Sequence, residues 1–173
     1  MLVQQLATVL TEQGQMMATA ESCTGGMIAA ACTDLAGSSN WFERGFVTYS
    51  NAAKHELLGV AKELIETHGA VSQPVAQAMA CGAVSHSHAQ CAVAVTGVAG
   101  PGGGSAEKPV GTVWFGWSVH GQCHTERKLF AGDRAQVRSA TVQHALTQLL
   151  AYPQHIKPRR ASRQVQRQCG ARH

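Results

Sequence analysis

The run CAVAVT, residues 91–96, constrains the fold more than any other stretch of the chain. It carries no charge and does not alternate between apolar and polar side chains. Strands of this kind are typical of parallel sheets whose two faces are both covered by helices. A shorter run, MMATA at residues 16–20, has the same character. The two runs therefore predict strands at the centre of a sheet that lies between helices.

The rest of the chain alternates between helical and strand patterns. Leu2, Leu6 and Leu10 recur at helical spacing, and Gly14 follows as a stop signal. The later patterns predict, in order, a helix over residues 27–37, a strand over 45–49, a helix from Ser50 or Asn51 to Leu58, a helix from Ser72 with Pro74 in its first turn, a hairpin over 112–130 that turns at His120 and Gly121, and a helix over 134–152. This order predicts an α/β fold, a three-layer α/β/α single domain with a mixed sheet.

The charge divides the chain into two parts. The formal net charge is +4, but residues 153–173 hold six Lys and Arg and no acid, so residues 1–152 carry eight bases against ten acids. We expect one domain over residues 1–152, without a nucleic-acid-binding face. A basic, disordered tail over residues 153–173 follows, because it has few large apolar residues to offset the cost of ordering it. The alternative, an RNA-binding arm, would normally bring aromatic side chains for stacking.

Composition also bears on the compartment and on metals. No apolar stretch reaches the ~18 residues needed to span a bilayer, and the start of the chain lacks the basic-then-apolar order of a secretory signal. The six cysteines form no CxxC pair and mostly lie in apolar runs, so they are predicted to be reduced thiols. The histidine pairs have no acidic or Cys partner at metal-ligand spacing. We expect a cytoplasmic protein with no membrane partner, no metal and no cofactor.

The motif TAESCTGG, residues 19–26, lies at a predicted turn from strand to helix. Ser22 and Cys23 are adjacent nucleophiles there, and the free N–H groups of a helix start can stabilise an oxyanion. A helix start is also expected to lower the pKa of Cys23. The simpler alternative is that Ser22 or Thr24 merely caps the second helix.

A second motif, TYSNAAK at residues 48–54, offers a base. Lys54 falls about one turn after the cap at Ser50 or Asn51. A helix dipole favours the neutral amine by only ~0.3–1 kcal/mol, so a lysine base would also need desolvation. Tyr49 could relay a proton or orient Lys54. The alternatives are an exposed helix lysine and a half-buried aromatic residue at the end of a strand.

A glycine-rich loop over residues 97–104 follows the central strand. Glycine lets backbone N–H groups approach an anion closely, because it lacks a Cβ and accepts positive φ. The loop matches neither a Walker A motif nor GxGxxG. By itself it indicates a phosphate cradle or a mobile connector equally well.

Five ordered motifs together resemble the CinA carboxy-terminal domain family, the nicotinamide-nucleotide amidases: AESCTGG, WFERGFVTYSN.AK, HGAVS.PVA..MA.GA, TGVAGPGGGS..KPVGTVWFG and F.GDR..VR. The resemblance covers residues 1–152 and is to the stand-alone form without an amino-terminal nucleotide-processing domain. It implies hydrolysis of nicotinamide mononucleotide to nicotinic acid mononucleotide and ammonia, without metal or cofactor, by a homodimer. It also implies that Ser22 is the nucleophile, Lys54 its general base and later acid, and Tyr49 a helper.

The resemblance further implies a set of substrate-binding candidates: Glu21, Thr24, Gly25, Thr96, Gly97, Gly100, Gly102, Gly103, Arg134 and Arg138. Glu21 would position Lys54 or the substrate, and the two arginines would bind the phosphate unless they are exposed helix residues. The alternative function is a non-catalytic pyridine-nucleotide-binding module, in which the Ser22 turn is only a cap. A third hypothesis is a structural or competence-associated interaction protein. The sequence shows no exposed apolar helix and no repeat that would support it.

Overall fold

A computed structural model describes residues 1–152, so the predicted tail lies outside the described residues. One five-stranded sheet has the order β2-β1-β3-β4-β5. Its strands are β1 Met17–Glu21, β2 Phe42–Val47, β3 Cys91–Gly97, β4 Thr112–Val119 and β5 Gln122–Leu129. β1 pairs in parallel with both β2 and β3, whereas β4 pairs antiparallel with β3 and β5. The prediction of a mixed sheet is confirmed.

Helices cover both faces of the sheet. They are α1 Leu2–Glu12, α2 Met27–Thr33, α3 Asn51–Leu58, α4 Lys62–His68, α5 Gln73–Ser85 and α6 Arg134–Ala151, with a 3-10 turn at Ser38–Asn40. Leu6, Ile28 and Leu146 of α1, α2 and α6 belong to one core cluster. Leu58 and Met79 of α3 and α5 belong to the cluster on the other face. This is the predicted three-layer arrangement, and no helix within residues 1–152 is long and apolar enough to cross a membrane.

Several predicted boundaries are wrong. β2 covers Phe42–Val47 rather than residues 45–49, because its pairing with β1 starts opposite Met17. α2 ends at Thr33, earlier than predicted. α4 was not predicted, since its seven residues bury only Ile65 and show no clear helical period.

The parallel strands bring the polar motifs to one edge of the sheet. Ser22 follows the last residue of β1, Thr48 follows β2, and Gly97 ends β3. The carboxyl ends of parallel strands lie side by side, which is where open α/β sheets place ligands. The glycine at the end of β3 permits a close approach to β4, because a Cβ there would lie 2.8 Å from the Thr112 carbonyl oxygen.

The prediction of reduced thiols is wrong for one pair. Cys81 on α5 and Cys123 on β5 are joined by a disulfide. These residues are 42 positions apart, and only the packing of α5 against the β4–β5 hairpin brings them together, so their spacing gave no signal. Cys23, Cys32 and Cys91 are free and buried, and Cys169 lies outside the described residues.

Candidate active site

The Ser22 turn connects β1 to α2. The Ser22 N–H donates to the Val95 carbonyl oxygen at 3.1 Å, which extends the pairing of β1 with β3 by one residue. The Ser22 carbonyl oxygen then accepts from the Gly25 N–H at 3.0 Å, closing a tight turn. Gly25 and Gly26 have φ of 60° and 103°, a conformation that residues with a Cβ rarely adopt. The glycine pair therefore lets the chain reverse into α2 directly behind Ser22.

Glu21 holds this turn from beneath. Its side chain is buried, and its carboxylate accepts from the N–H groups of Gly26, Ile28 and Ala29 at 2.8–3.1 Å. It also accepts from the Thr24 hydroxyl. An anion at the free N–H groups of a helix start is a favourable arrangement. The carboxylate thus secures α2, and no bond between it and Lys54 is found in the described part of the chain.

Lys54 reaches Ser22 from the start of α3. Ser50 is the cap of that helix, since its hydroxyl accepts from the Ala53 N–H at 3.0 Å. One turn later, Lys54 Nζ donates to Ser22 Oγ at 3.1 Å and to the Thr48 carbonyl oxygen at 2.9 Å. Lys54 is only 1% exposed, and this burial lowers its pKa. A lysine base needs desolvation in addition to the effect of the helix dipole, and the burial of Lys54 provides it.

Cys23 differs from its expected state. It is buried next to Ser22, and burial raises the pKa of its thiol to about 11. The prediction that the helix start lowers this pKa is wrong, because desolvation of a thiolate outweighs the favourable backbone contacts. Cys23 is therefore a protonated thiol near neutral pH.

A cavity of about 190 Å³ opens at this edge of the sheet. Six of the predicted site residues line it: Ser22, Tyr49, Lys54, Thr96, Gly97 and Arg134. Five further residues complete the lining: Cys23, Asn51, Ala70, Val71 and Ala99. The two motifs and the end of β3 therefore face a common space.

Tyr49 and Arg134 pair at the mouth of this cavity. The Tyr49 side chain is mostly exposed, and its hydroxyl accepts from Arg134 Nη2 at 3.2 Å. Arg134 Nη1 also donates to the Gly100 carbonyl oxygen at 2.9 Å. Tyr49 thus contacts Arg134 rather than Lys54, and Arg134 ties the mouth to the glycine-rich loop.

Other predicted site residues lie outside the cavity lining. Gly100, Gly102 and Gly103 lie in the glycine-rich loop. Glu21, Thr24 and Gly25 belong to the Ser22 turn, and Arg138 lies against that turn from α6. Arg138 Nε donates to the Cys23 carbonyl oxygen at 3.1 Å, and its Nη2 donates to the Thr24 carbonyl oxygen at 3.0 Å. Within residues 1–152 no three His, Cys, Asp or Glu side chains are grouped so that they could hold a metal ion.

Sequence reasoning missed the residues that act through the backbone. Thr48 contributes its carbonyl oxygen to Lys54, a group that every residue type carries. Ala70 likewise accepts from the buried Thr96 hydroxyl at 2.9 Å and so forms one wall of the cavity. Asn51 was considered only as a cap, yet it is the first residue of α3 and lines the cavity. Its place directly before the Lys54 turn is the signal that could have found it.

Comparison with known proteins identifies the family. The family model described as the CinA C-terminal domain matches residues 1–152. The chain belongs to the CinA C-terminal domain family. This confirms the resemblance that the motifs indicated.

Relatives that share more than half of their aligned residues with this chain include proteins named as amidohydrolases. The chain is 52% identical over 149 residues to nicotinamide-nucleotide amidohydrolase PncC of Escherichia coli strain K12, covering 86% of this chain and 90% of that relative. It is 56% identical over 135 residues to PncC of Enterobacter agglomerans, covering 78% and 82%.

Solved structures agree with this family fold. The competence/damage inducible protein CihA of Agrobacterium tumefaciens superposes with a TM-score of 0.85 at 50% identity, covering 87% of this chain and 92% of that one. A CinA superfamily protein of E. coli gives 0.84 at 40% identity, covering 86% and 87%.

Proposed function

We propose that this CinA-family chain is a nicotinamide-nucleotide amidase that hydrolyses nicotinamide mononucleotide to nicotinic acid mononucleotide and ammonia. Its relatives at 52% and 56% identity bear the name of that activity. The single observation that supports the chemistry best is the 3.1 Å contact between Lys54 Nζ and Ser22 Oγ in a buried setting. It pairs a hydroxyl nucleophile with an amine whose pKa is lowered.

In the first step, Ser22 Oγ attacks the carboxamide carbon. Burial lowers the pKa of Lys54 and so favours its neutral form, which takes the hydroxyl proton through its free lone pair. The Thr48 carbonyl oxygen accepts an N–H from the same nitrogen and so keeps the lone pair oriented toward Ser22. A tetrahedral intermediate with a negatively charged oxygen results.

Backbone N–H groups of the Ser22 turn stabilise that oxygen. Among the described residues, the N–H groups of Cys23 and Thr24 donate to no other residue, and that of Cys23 contacts only its own thiol, whereas those of Ser22 and Gly25 are bonded. Donors held in place before the reaction are worth more than mobile ones, because they need no reorganisation as the charge develops. We assign the Cys23 and Thr24 amides as the oxyanion donors.

The intermediate then collapses. The C–N bond breaks while Lys54 returns its proton to the departing nitrogen, which leaves as ammonia, and Ser22 holds the nicotinoyl group as an ester. Water attacks the ester with Lys54 again as the base, and release of the acid restores Ser22.

The remaining cavity residues bind the nucleotide. Arg134 is the phosphate ligand in this proposal, because only two of the bonds its guanidinium can donate are used by the protein. Tyr49 is a helper that orients Arg134 and the substrate at the mouth, and Thr96, Gly97 and Ala99 face the substrate. A homodimer remains our prediction from the family resemblance, and a cytoplasmic location remains our prediction from the sequence.

The test is ammonia release from nicotinamide mononucleotide with a metal chelator present. We expect turnover, and we expect nicotinamide riboside to be cleaved far less efficiently, because Arg134 would then lack its partner. Binding of the mononucleotide without ammonia release would favour the binding module instead. Equal cleavage of the riboside would contradict the assignment of Arg134.

A further inference from the structure

Arg138 makes an unusual pair of contacts with the Ser22 turn. The residue is half-buried on α6, and its guanidinium donates to the carbonyl oxygens of Cys23 and Thr24, two consecutive residues directly after the nucleophile. It is absent from the cavity lining. Arg138 is therefore poorly placed to be a second phosphate ligand beside Arg134.

The two contacts determine where the neighbouring N–H groups point. In a trans peptide the C=O of one residue and the N–H of the next point in opposite directions. When Arg138 holds the Cys23 carbonyl oxygen on its own side, the Thr24 N–H must point to the opposite side of the turn. The Gly25 N–H holds the Ser22 carbonyl oxygen inside the turn, so the Cys23 N–H of the same peptide points away from Gly25.

We infer that Arg138 is a positioning residue that holds the oxyanion donors of the Ser22 turn in place for catalysis. The inference rests on the proposed amidase function and adds to it a residue that touches no substrate. The guanidinium of Arg138 stabilises the orientation of the Cys23 and Thr24 carbonyl groups by bonding to both. The N–H groups of the turn are therefore held in place before the substrate binds.

The surroundings of Arg138 suit this role. Its neighbour Val137 is fully buried in the core, and Asp133 caps α6 with a reciprocal capping box, so the helix that carries Arg138 is fixed. Glu21 secures the same turn through the Thr24 hydroxyl and the start of α2. The turn is thus held by an anion on one side and a cation on the other.

Steady-state kinetics of Arg138→Ala and Arg138→Lys test the inference. We expect kcat to fall by about 10- to 100-fold in Arg138→Ala, approaching the loss seen when an oxyanion donor is removed, while KM stays within about threefold. Arg138→Lys should recover little, because an ammonium lacks the fork that bonds two acceptors at once. Added guanidinium ion should raise kcat of Arg138→Ala, and methylammonium should not.

Two further measurements separate this role from others. Binding of nicotinamide mononucleotide by calorimetry, in a Ser22→Ala background that blocks turnover, should give the same Kd with and without Arg138→Ala. Arg127→Ala, which removes an exposed arginine on β5, is the matched control and should keep wild-type kcat. If Arg138→Ala fails to fold, Arg138→Lys and its kcat-to-KM split serve the same test.

A weaker Kd with unchanged kcat would overturn the inference and make Arg138 a substrate ligand. Unchanged kcat and KM would overturn it as well. A further measurement tests the role of Arg138 without using the proposed substrate. It follows by mass spectrometry the rate at which a fluorophosphonate labels Ser22. Wild-type labelling without cleavage of the mononucleotide would refute the substrate only, whereas equal labelling of wild type and Arg138→Ala would refute the role of Arg138.

Discussion

At the scale of single residues, burial decides which groups can react. Ser22 and Cys23 are neighbours, and a thiol is intrinsically the better nucleophile. Burial, however, keeps Cys23 protonated by raising its pKa to about 11, while it lowers the pKa of Lys54 and so favours the neutral amine that Ser22 needs as a base. The same physical effect disables one nucleophile and activates the other.

The dependence of activity on pH tests the state of Lys54. Because only the neutral amine can take the Ser22 proton, kcat/KM should fall as pH drops below the pKa of Lys54, which lies below the ordinary lysine value of 10.5. The measurement is kcat/KM from about pH 5 to about pH 10, a range that ends below the ordinary lysine pKa. Cys23→Ala should show the same acid limb. A profile that rises toward low pH would contradict the assignment of Lys54 as base.

The sequence motifs and the family resemblance make Ser22 and Lys54 site candidates, but they do not predict the surroundings of the two side chains. Their residue types and motifs indicate chemistry, whereas the carbonyl oxygen of Thr48 carries no signal in a sequence. The assignment of Arg138 to phosphate was natural for a helix arginine near a glycine-rich loop. Only the three-dimensional structure shows that Arg138 Nε and Nη2 donate to the Ser22 turn and that the residue is absent from the cavity lining.

At the scale of elements, α2 depends on a buried carboxylate instead of an ordinary cap. Gly26, its N-cap, has no side chain to accept the free N–H groups, and Glu21 accepts three of them from the preceding strand. Strand, turn and helix are thereby joined as one unit behind Ser22. A sequence pattern cannot reveal this, because Glu21 precedes the helix by six residues.

Replacing Glu21 by Gln should destabilise this unit. The amide keeps one acceptor oxygen and places an NH₂ group against backbone donors, so we expect a loss of about 1–3 kcal/mol, or roughly 3–10 °C in melting temperature. Thermal unfolding followed by circular dichroism gives the value. Glu12→Gln, an exposed change on α1, is the control and should leave the melting temperature unchanged. Equal melting of both variants would show that the Glu21 contacts do not support α2.

The order of elements was more predictable than their limits. The buried character of β3 and the helical period of α1 and α6 are strong signals, and these elements were predicted correctly. β2 is an edge strand with only partly buried or exposed residues, so its hydrophobic pattern is weak and its predicted position was displaced. The disulfide between Cys81 and Cys123 likewise depends on packing between distant elements.

At the scale of the whole molecule, every site residue that the structure describes lies within residues 1–152. The cavity lining, the Ser22 turn and the family match all lie within this range. Tyr152 is its last residue and packs against Trp117 and His124, with ring centroids 5.6 Å and 4.3 Å away. The described domain thus ends on an aromatic contact.

Cutting the chain after Tyr152 should therefore change little. We expect kcat/KM within about twofold of the full chain and a melting temperature within about 2 °C, because the sequence beyond Tyr152 has few large apolar residues to pack. Cutting after Leu150 is the comparison, since it removes Tyr152 and should lower the melting temperature. A loss of several degrees on cutting after Tyr152 would show that residues 153–173 pack against the domain.

The most direct test of the account is ammonia release from nicotinamide mononucleotide by four variants: Ser22→Ala, Lys54→Ala, the double mutant and Cys23→Ala. We predict that each of the two single changes at Ser22 and Lys54 lowers kcat by about 10³-fold or more with the fold intact, and that the double mutant is little worse, because the two residues act as a unit. Cys23→Ala should keep most of its activity. Full turnover by Ser22→Ala together with an inactive Cys23→Ala would contradict the serine–lysine mechanism and make the protein a cysteine amidase.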